Sequence, residues 1–416
     1  MERRMYRGWP IVAALGLVTI VSYGTTQYLF GVLVDPVTRT LGGNRAQLAS
    51  AYSIALVVAA VAGLGVGRVV DRIGARLLLC TGGAVNAATL LLLSRTGSLP
   101  AFAAVWAGGG GIAMALTQYP LTFVVVANWF DRRRPAAMAL LTTIGGLSSP
   151  IMIPLSGWLV HAHGWRTAVA LLALPAALTI PLALVLVRRR PEDLGLAPDG
   201  ATGARRQTPS SGLTLAVALR RPAFWLITLG GVATMFCANA LQVHQVAYLI
   251  GRGLSPVAAA SVAGLAGLAS VPGRLILNLA GQRLPPQLLL ALSMLAMGLA
   301  VLVLLATAGQ GPTVAYAALY GIGYGAVTPL RGTVMAHQVG RRAYGVITAV
   351  QNLAVVGGSA AGPLGVGALY DSTGTYRLAL IVIVVVISAG AVATLLAPRP
   401  RRPVPSGPQG SARSRA

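Results

Sequence analysis

The chain has 416 residues, of which 56% are hydrophobic and only 10% are charged, a composition that excludes an ordinary water-soluble globular protein. Its net charge of +24 comes from 32 arginines and eight acidic residues, with no lysine. A strongly basic chain can bind nucleic acid, but these arginines stand in short runs between apolar segments, which indicates membrane topology instead. We therefore expect a multi-pass membrane protein surrounded by lipid, without a nucleic-acid partner.

Charged residues delimit twelve apolar segments, each long enough to cross a bilayer as a helix. Predicted helices 1 to 6 are Trp9–Val34, Gln47–Gly67, Leu77–Leu93, Ala101–Ala127, Ala136–Val160 and Thr167–Val187. Predicted helices 7 and 8 are Pro222–Ile250 and Pro256–Ala280, helices 9 and 10 share the uncharged stretch 284–330 on either side of Gln310-Gly311-Pro312, and helices 11 and 12 are Tyr344–Leu369 and Leu378–Leu396.

A long polar break divides these helices into two sets of six. We expect an N-terminal six-helix bundle over residues 1–187, a cytoplasmic linker rich in Arg, Pro and Gly over 188–221, and a C-terminal six-helix bundle over 222–397. Residues 398–416 are predicted to be a disordered cytoplasmic tail. The predicted fold class is thus an all-α membrane protein of twelve transmembrane helices.

The two halves carry similar features at a nearly constant offset. Pro120 corresponds to Pro329 at an offset of 209 residues, and Gly145-Gly146 corresponds to Gly357-Gly358 at an offset of 212. Such a repeat predicts two pseudo-symmetric bundles about an axis normal to the membrane, with a substrate site near the midplane between them.

The arginine distribution predicts the orientation. With the N-terminus inside, 24 arginines lie in predicted cytoplasmic segments and six lie on the opposite side. This positive-inside bias predicts that both termini are cytoplasmic, in the inner (cytoplasmic) membrane of the cell.

Arg274 is the leading candidate for a functional residue. It lies nine residues before Arg283, which places it about 13 Å inside the membrane boundary. A charge at that depth needs a wet cavity or a partner and is by default a functional-site hypothesis. A structural arginine that backbone carbonyls hold, or one that snorkels to the surface, is the alternative.

Three further polar residues have a similar predicted depth in the C-terminal half. Arg331 in helix 10 could contact substrate, serve a gate or be structural, and Gln351 and Asn352 in helix 11 could contact substrate or mediate helix packing. All three are candidate substrate contacts.

In the N-terminal half, Tyr119 lies about 20 Å from the boundary, where its phenol could donate to a substrate carboxylate or simply pack. Tyr28 on helix 1 is a weaker candidate further out. No predicted span has an acid at its centre, so His244 in helix 7 is the candidate for proton coupling, with a locally satisfied histidine as the alternative. No metal-ligand cluster, nucleophile motif or phosphate loop is evident, and we expect no enzyme activity, cofactor or metal.

The segment GRVVDRIGAR, residues 67–76, resembles the signature loop of the major facilitator superfamily. Within that superfamily, RGWP before helix 1, NWFDRRRPAAMAL after helix 4, RRRPEDLGLAPDG after helix 6 and HQVAYLIGRGLSPVAAAS after helix 7 are similar to the monocarboxylate transporter and oxalate/formate antiporter group. The resemblance implies the major facilitator fold, alternating access, a cytoplasmic gate that contains Gly67, Asp71 and Arg72, and carboxylate binding by Arg274.

The resemblance also bears on the substrate. The dicarboxylate branch of the family places a lysine on helix 11, where Gln351 stands in this chain. We therefore expect a monomeric secondary transporter for small organic anions, namely monocarboxylates such as lactate, pyruvate or formate, with proton symport and anion exchange both open. A drug or metabolite exporter of the same superfamily and a membrane sensor are the alternatives.

Overall fold

The computed structural model describes residues 6–130, 133–188, 191, 213–280, 284–306, 310–340 and 343–398. Within them, ten helical stretches are long and apolar enough to cross a membrane. One stretch, Ala136–Leu186, contains two spans, because Gly164 adopts φ 77° and ψ 159° and interrupts the helix. Gln310–Val339 is a further helix of 30 residues. The described part of the chain therefore contains twelve membrane-length segments, as predicted.

We number these segments α1 to α12. The N-terminal half contains α1 (Gly8–Leu41), α2 (Arg45–Ile73), α3 (Ala75–Ser94), α4 (Leu99–Trp129), α5 (Arg134–Gly146, continuing from Ser148 to Gly164) and α6 (165–186). The C-terminal half contains α7 (Pro222–Gly251), α8 (Pro256–Ala280), α9 (Pro286–Ala306), α10 (Gln310–Val339), α11 (Tyr344–Thr373) and α12 (Arg377–Leu396). A short helix, Leu215–Leu219, precedes α7 within the predicted linker.

Several helices are longer than the charge pattern predicted. α1 continues to Leu41 rather than Val34, and α11 continues to Thr373 rather than Leu369. α2 continues through most of the 67–76 loop to Ile73, and the chain turns only at Gly74, where φ is 83°. Charges mark the edge of the hydrocarbon, whereas the backbone hydrogen bonds of a helix continue into the interfacial layer.

Three of the membrane helices are locally irregular. α1 contains a π-helical turn at Gly24–Tyr28, and α4 contains another at Trp106–Gly110. Further along α4 the helix breaks at Gln118, which has an extended backbone, and restarts with Pro120 in its first turn. α5 is interrupted at Leu147. Such irregularities are frequent at functional sites and at the kinks that separate helix segments.

Both described ends of the chain lie at one face of the bundle, which we call the terminal face. There the Tyr6 hydroxyl donates to the carbonyl of Trp129 at 2.9 Å, and the Gln338 amide donates to the carbonyl of Pro398 at 2.9 Å. We call the opposite face, where α1 ends at Leu41 and α2 begins, the distal face.

The two halves are joined at the distal face by α2 and α11. Asp371 accepts from the backbone N–H groups of Arg45 at 3.2 Å and Ala46 at 2.8 Å, and Ser53 Oγ donates to the carbonyl of Ala360 at 2.6 Å. We call these five residues the distal seal. The Asp371 carboxylate satisfies orphan N–H groups at the start of α2 and complements the positive end of that helix.

Toward the terminal face both helices carry glycines with open space beside them. Cβ atoms added at Gly63 and Gly65 of α2, or at Gly357 of α11, would have no neighbour within 4 Å. Gly65 and Gly357 lie on the exposed stripes of their helices, so their open sides face outward. Among the described residues, the hydrogen bonds that join α2 to α11 lie in the distal part of the bundle.

Candidate functional site

The Arg274 side chain crosses from the C-terminal half to the N-terminal half. It projects from α8, and its Nη1 donates to the backbone carbonyl of Thr142 on α5 at 2.6 Å. A Cβ added at Gly146 would lie 3.1 Å from Nη1 and 3.4 Å from Nη2, so the guanidinium rests directly on the glycine backbone. A carbonyl oxygen can accept a second hydrogen bond beside its helical one. Among the described residues the Arg274 guanidinium makes no other hydrogen bond.

Tyr119 lies on the other side of the same glycine pair. A Cβ added at Gly145 would lie 2.5 Å from the Tyr119 hydroxyl, whereas one added at Gly146 would meet Arg274. The break at Gln118 places Tyr119 at the first position of the second α4 segment. The two leading candidates from the sequence are thus brought to adjacent residues of α5, immediately before its interruption at Leu147.

Phenols from α1 complete the N-terminal side of this cluster. The rings of Tyr23 and Tyr119 have centroids 5.1 Å apart, and those of Tyr23 and Tyr28 are 6.4 Å apart. The π-helical turn at Gly24–Tyr28 separates the two α1 tyrosines. Tyr28 packs against the core of the C-terminal half and lies within electrostatic range of Arg274. It therefore lies nearer to Arg274 than its position in the sequence indicated.

Sequence reasoning missed a ladder of tyrosines on α10. Tyr316, Tyr320 and Tyr324 stack successively, with centroid separations of 5.7 Å and 5.9 Å. The last of them lies within electrostatic range of both Arg274 and Arg331. Their spacing of four residues places all three on one helix face, and that spacing was the available signal.

Arg331, the second candidate arginine, packs within the C-terminal half. Its guanidinium packs on Gly231 of α7, where an added Cβ would lie 3.3 Å from Nη2 and 3.2 Å from the Val355 side chain of α11. Its Nε is buried and has no hydrogen-bond partner among the described residues. A buried cationic donor without a partner is costly, and this arrangement differs from that of Arg274, which reaches the other half.

The two amides of α11 have different environments. The Gln351 side chain is buried, with 5% of its surface exposed, whereas its neighbour Asn352 is exposed. Adjacent residues on a helix point about 100° apart, so the two amides lie on different sides of α11.

His244 is bound within the C-terminal half. Nε2 lies 2.9 Å from the carbonyl of Pro363, and Nδ1 lies 3.1 Å from the Tyr376 hydroxyl. A carbonyl only accepts, so Nε2 carries the proton and the Tyr376 hydroxyl donates to Nδ1. This is the locally satisfied arrangement, near the distal face rather than in contact with Arg274.

The predicted cytoplasmic gate lies at the end of α2, partly outside the described residues. The side chains of Gly67, Asp71 and Arg72 lie outside the described residues, although their backbone is part of α2. Among the residues that are described, no three His, Cys, Asp or Glu side chains form a group that could hold a metal ion.

Comparisons with known proteins agree with this architecture. The family model of the Major Facilitator Superfamily matches residues 15–363. A crystal structure of a bacterial homologue of the human lysosomal transporter Spinster matches with a TM-score of 0.72 and 17% identity, covering 94% of this chain and 97% of that one. At that identity the likeness shows the fold, and the predicted twelve-helix major facilitator fold is confirmed.

Curated relatives share more of the sequence. Monocarboxylate transporter 13 of Bos taurus is 29% identical over 388 residues, covering 92% of this chain and 88% of that protein. The oxalate:formate antiporter of Oxalobacter formigenes is 25% identical over 251 residues, covering 60% of this chain and 56% of that protein. The predicted resemblance to this group is confirmed. The chain therefore belongs to the Major Facilitator Superfamily and is a multi-pass membrane transporter.

Proposed function

We propose that the chain carries small monocarboxylates across the cytoplasmic membrane by alternating access. The observation that carries this proposal is the Arg274 guanidinium of one half resting on the α5 backbone of the other half, beside the Tyr119 hydroxyl. A planar guanidinium matches a carboxylate with two parallel hydrogen bonds. Relatives named as monocarboxylate transporters support the same substrate class.

The substrate carboxylate would take Arg274 as its main partner. Tyr119 and Tyr28 would contact the anion from the N-terminal half, and Tyr324 would contact it from the C-terminal half. Because the ligand would touch both halves, its binding would favour their closure, which is the step that alternating access requires. Gln351, Asn352 and Arg331 stay candidate contacts on the C-terminal side.

The number of cations sets the expected preference for substrate charge. A second carboxylate without a cationic partner is unfavourable in a desolvated cavity. At the central site Arg274 reaches across the halves, whereas Arg331 packs against Gly231 within its own half. Monocarboxylates should therefore be taken in preference to oxalate.

Other parts of the proposal concern orientation and coupling. We assign the terminal face to the cytoplasm on the arginine distribution, with Gly67, Asp71 and Arg72 as the gate on that side, and we expect a monomer. Proton symport and anion exchange both stay open. In symport, the substrate's own carboxyl group would carry the proton. If His244 takes part, it would act through Tyr376 rather than by touching the anion at Arg274.

Counterflow in proteoliposomes tests the substrate class directly. Vesicles loaded with unlabelled lactate, pyruvate, formate or oxalate are diluted into labelled lactate, and the Arg274→Ala variant is compared with Arg95→Ala, an exposed arginine on the distal face. We expect counterflow with monocarboxylates, weaker counterflow with oxalate, loss in Arg274→Ala and normal rates in Arg95→Ala. Stronger counterflow with oxalate would overturn the preference, and uptake of cationic drugs without uptake of any acid would favour the exporter alternative.

A further inference from the structure

A cavity of about 520 Å³ lies at the distal face, across the junction of the two halves. Its lining includes the arginines Arg45, Arg252 and Arg377 and the tyrosines Tyr248, Tyr370 and Tyr376. Arg45 comes from α2 in the N-terminal half, whereas the other five residues come from the ends of α7, α11 and α12. We call this space the distal cavity. It is separate from the Arg274 site, and the transport proposal does not use it.

The walls of the distal cavity combine cations with aromatic rings. The Arg45 guanidinium carbon lies 4.0 Å from the Tyr370 ring centroid and 5.0 Å from that of Tyr376. The Arg252 guanidinium carbon lies 5.9 Å from the Tyr248 ring centroid. Rings hold the arginine side chains by cation–π attraction and offer an apolar surface between them.

The two carboxylates beside the cavity, Asp35 and Asp371, already have partners at the start of α2. Asp35 forms an ion pair with Arg45 Nη2 at 2.7 Å, and both Asp371 oxygens accept from backbone N–H groups at the start of α2. Three guanidinium groups therefore face two carboxylates. The excess positive charge favours an anion in the cavity, and the volume lies within the usual range of small-molecule sites.

We propose that the distal cavity is a second binding site, for a small organic carboxylate with an apolar body. The carboxylate would join Arg45 of one half to Arg252 and Arg377 of the other, with its apolar body against the tyrosine rings. An occupant that contacts both halves stabilises the arrangement in which they touch at the distal face. Such an anion therefore favours the distally closed state, and it does so independently of the ligand at Arg274.

The site is tested with benzoate, a carboxylate with an aromatic body, on the purified full-length chain carrying Arg274→Ala. That background weakens binding at the central site, and wild-type counterflow reports on the transport proposal separately. Thermal unfolding is followed at constant ionic strength over a benzoate titration, with benzyl alcohol as the uncharged analogue. The pocket variant is Arg252→Gln with Arg377→Gln, and the matched control is Arg39→Gln with Arg95→Gln, two exposed arginines whose replacement removes the same charge.

We expect benzoate to raise the melting temperature of the Arg274→Ala chain and benzyl alcohol to leave it unchanged. The half-saturating benzoate concentration should rise about tenfold in the pocket variant and stay constant in the control. The proposal is overturned if benzoate has no effect in the Arg274→Ala background, if the pocket variant responds like its parent, or if the control loses the response equally. A response to short-chain phosphatidylglycerol but not to benzoate would assign the cavity to a lipid headgroup and would also overturn it.

Discussion

Arg274 of α8 and Thr142 of α5 are joined by a hydrogen bond of 2.6 Å from the guanidinium Nη1 to the backbone carbonyl. The donor belongs to the C-terminal half and the acceptor to the N-terminal half. This one bond fixes the position of the guanidinium relative to Tyr119. An incoming carboxylate would use the remaining donors or replace the carbonyl as acceptor, and in either case it would bind at the junction of the halves.

The identity of the cation at position 274 should be decisive for transport. Arg274→Ala and Arg274→Lys are both expected to nearly abolish lactate uptake, because lysine keeps the charge but lacks the planar pair of donors. Loss of one partner from a buried charged hydrogen-bond pair costs about 2–5 kcal/mol, which is more than tenfold in affinity. Uptake into proteoliposomes is compared at equal protein incorporation, with Arg95→Lys as the control. Near-normal apparent affinity in Arg274→Lys would mean that the bidentate site is wrong.

Replacement of Gly146, on which the Arg274 guanidinium rests, tests the same geometry with a smaller change. The added Cβ of Gly146→Ala would lie 3.1 Å from Nη1, closer than ordinary contact, so Arg274 should be displaced. We expect the apparent affinity for lactate to fall about fivefold, the effect of about 1 kcal/mol. Gly365→Ala on α11 is the matched control, because its added Cβ meets nothing within 4 Å. Equal effects in both variants would indicate a general helix effect instead.

Some of this architecture was predictable from the sequence, and for a clear reason. The bilayer demands about 20 apolar residues per span, so charge and hydropathy alone predict twelve helices, and depth within an apolar span made Arg274 the leading candidate. The contact of Asp371 with Arg45 joins residues 326 positions apart, and no local pattern encodes such a pairing. The breaks at Gln118 and Leu147 do have a local signal, because Pro120 and Pro150 stand in the first turns of the segments that follow and proline cannot donate within a helix.

Removal of two tyrosine hydroxyls on α10 should have different effects, on substrate affinity at Tyr324 and on stability at Tyr316. Tyr324→Phe removes a hydroxyl within electrostatic range of Arg274, so apparent affinity should fall a few-fold with little change in melting temperature. Tyr316 donates to Gln245 Oε1 at 2.9 Å, and Tyr316→Phe leaves that buried acceptor without this donor. The second variant should lose about 1–3 kcal/mol of stability while keeping its affinity. Transport kinetics and thermal melts of both variants check this, and interchanged results would refute the assignment of Tyr324.

The distal seal should control access from the distal face. Asp371→Asn removes the negative charge that complements the start of α2, a contribution of about 1 kcal/mol or roughly fivefold in the open population. The reporter is Ser53→Cys, placed at a buried contact between the halves, in a chain whose Cys80 and Cys237 are replaced by alanine. Labelling by an impermeant maleimide should be about fivefold faster in Asp371→Asn than in Ser372→Ala, an exposed neighbour. Unchanged labelling would mean that the seal does not limit opening.

Replacement of Arg331 by an apolar residue should raise stability and lower transport. Its Nε is buried without a hydrogen-bond partner among the described residues, and its guanidinium rests on Gly231. An unsatisfied buried donor costs about 1–3 kcal/mol, and an apolar side chain of similar length removes that cost. Arg331→Met is therefore expected to raise the melting temperature of the purified chain and to reduce lactate transport, because it removes a candidate substrate contact on the C-terminal side. Arg39→Met, at an exposed position, should change stability by less than about 0.5 kcal/mol. A lower melting temperature in Arg331→Met would identify Arg331 as a structural residue, and higher stability with unchanged transport would remove it from the substrate site.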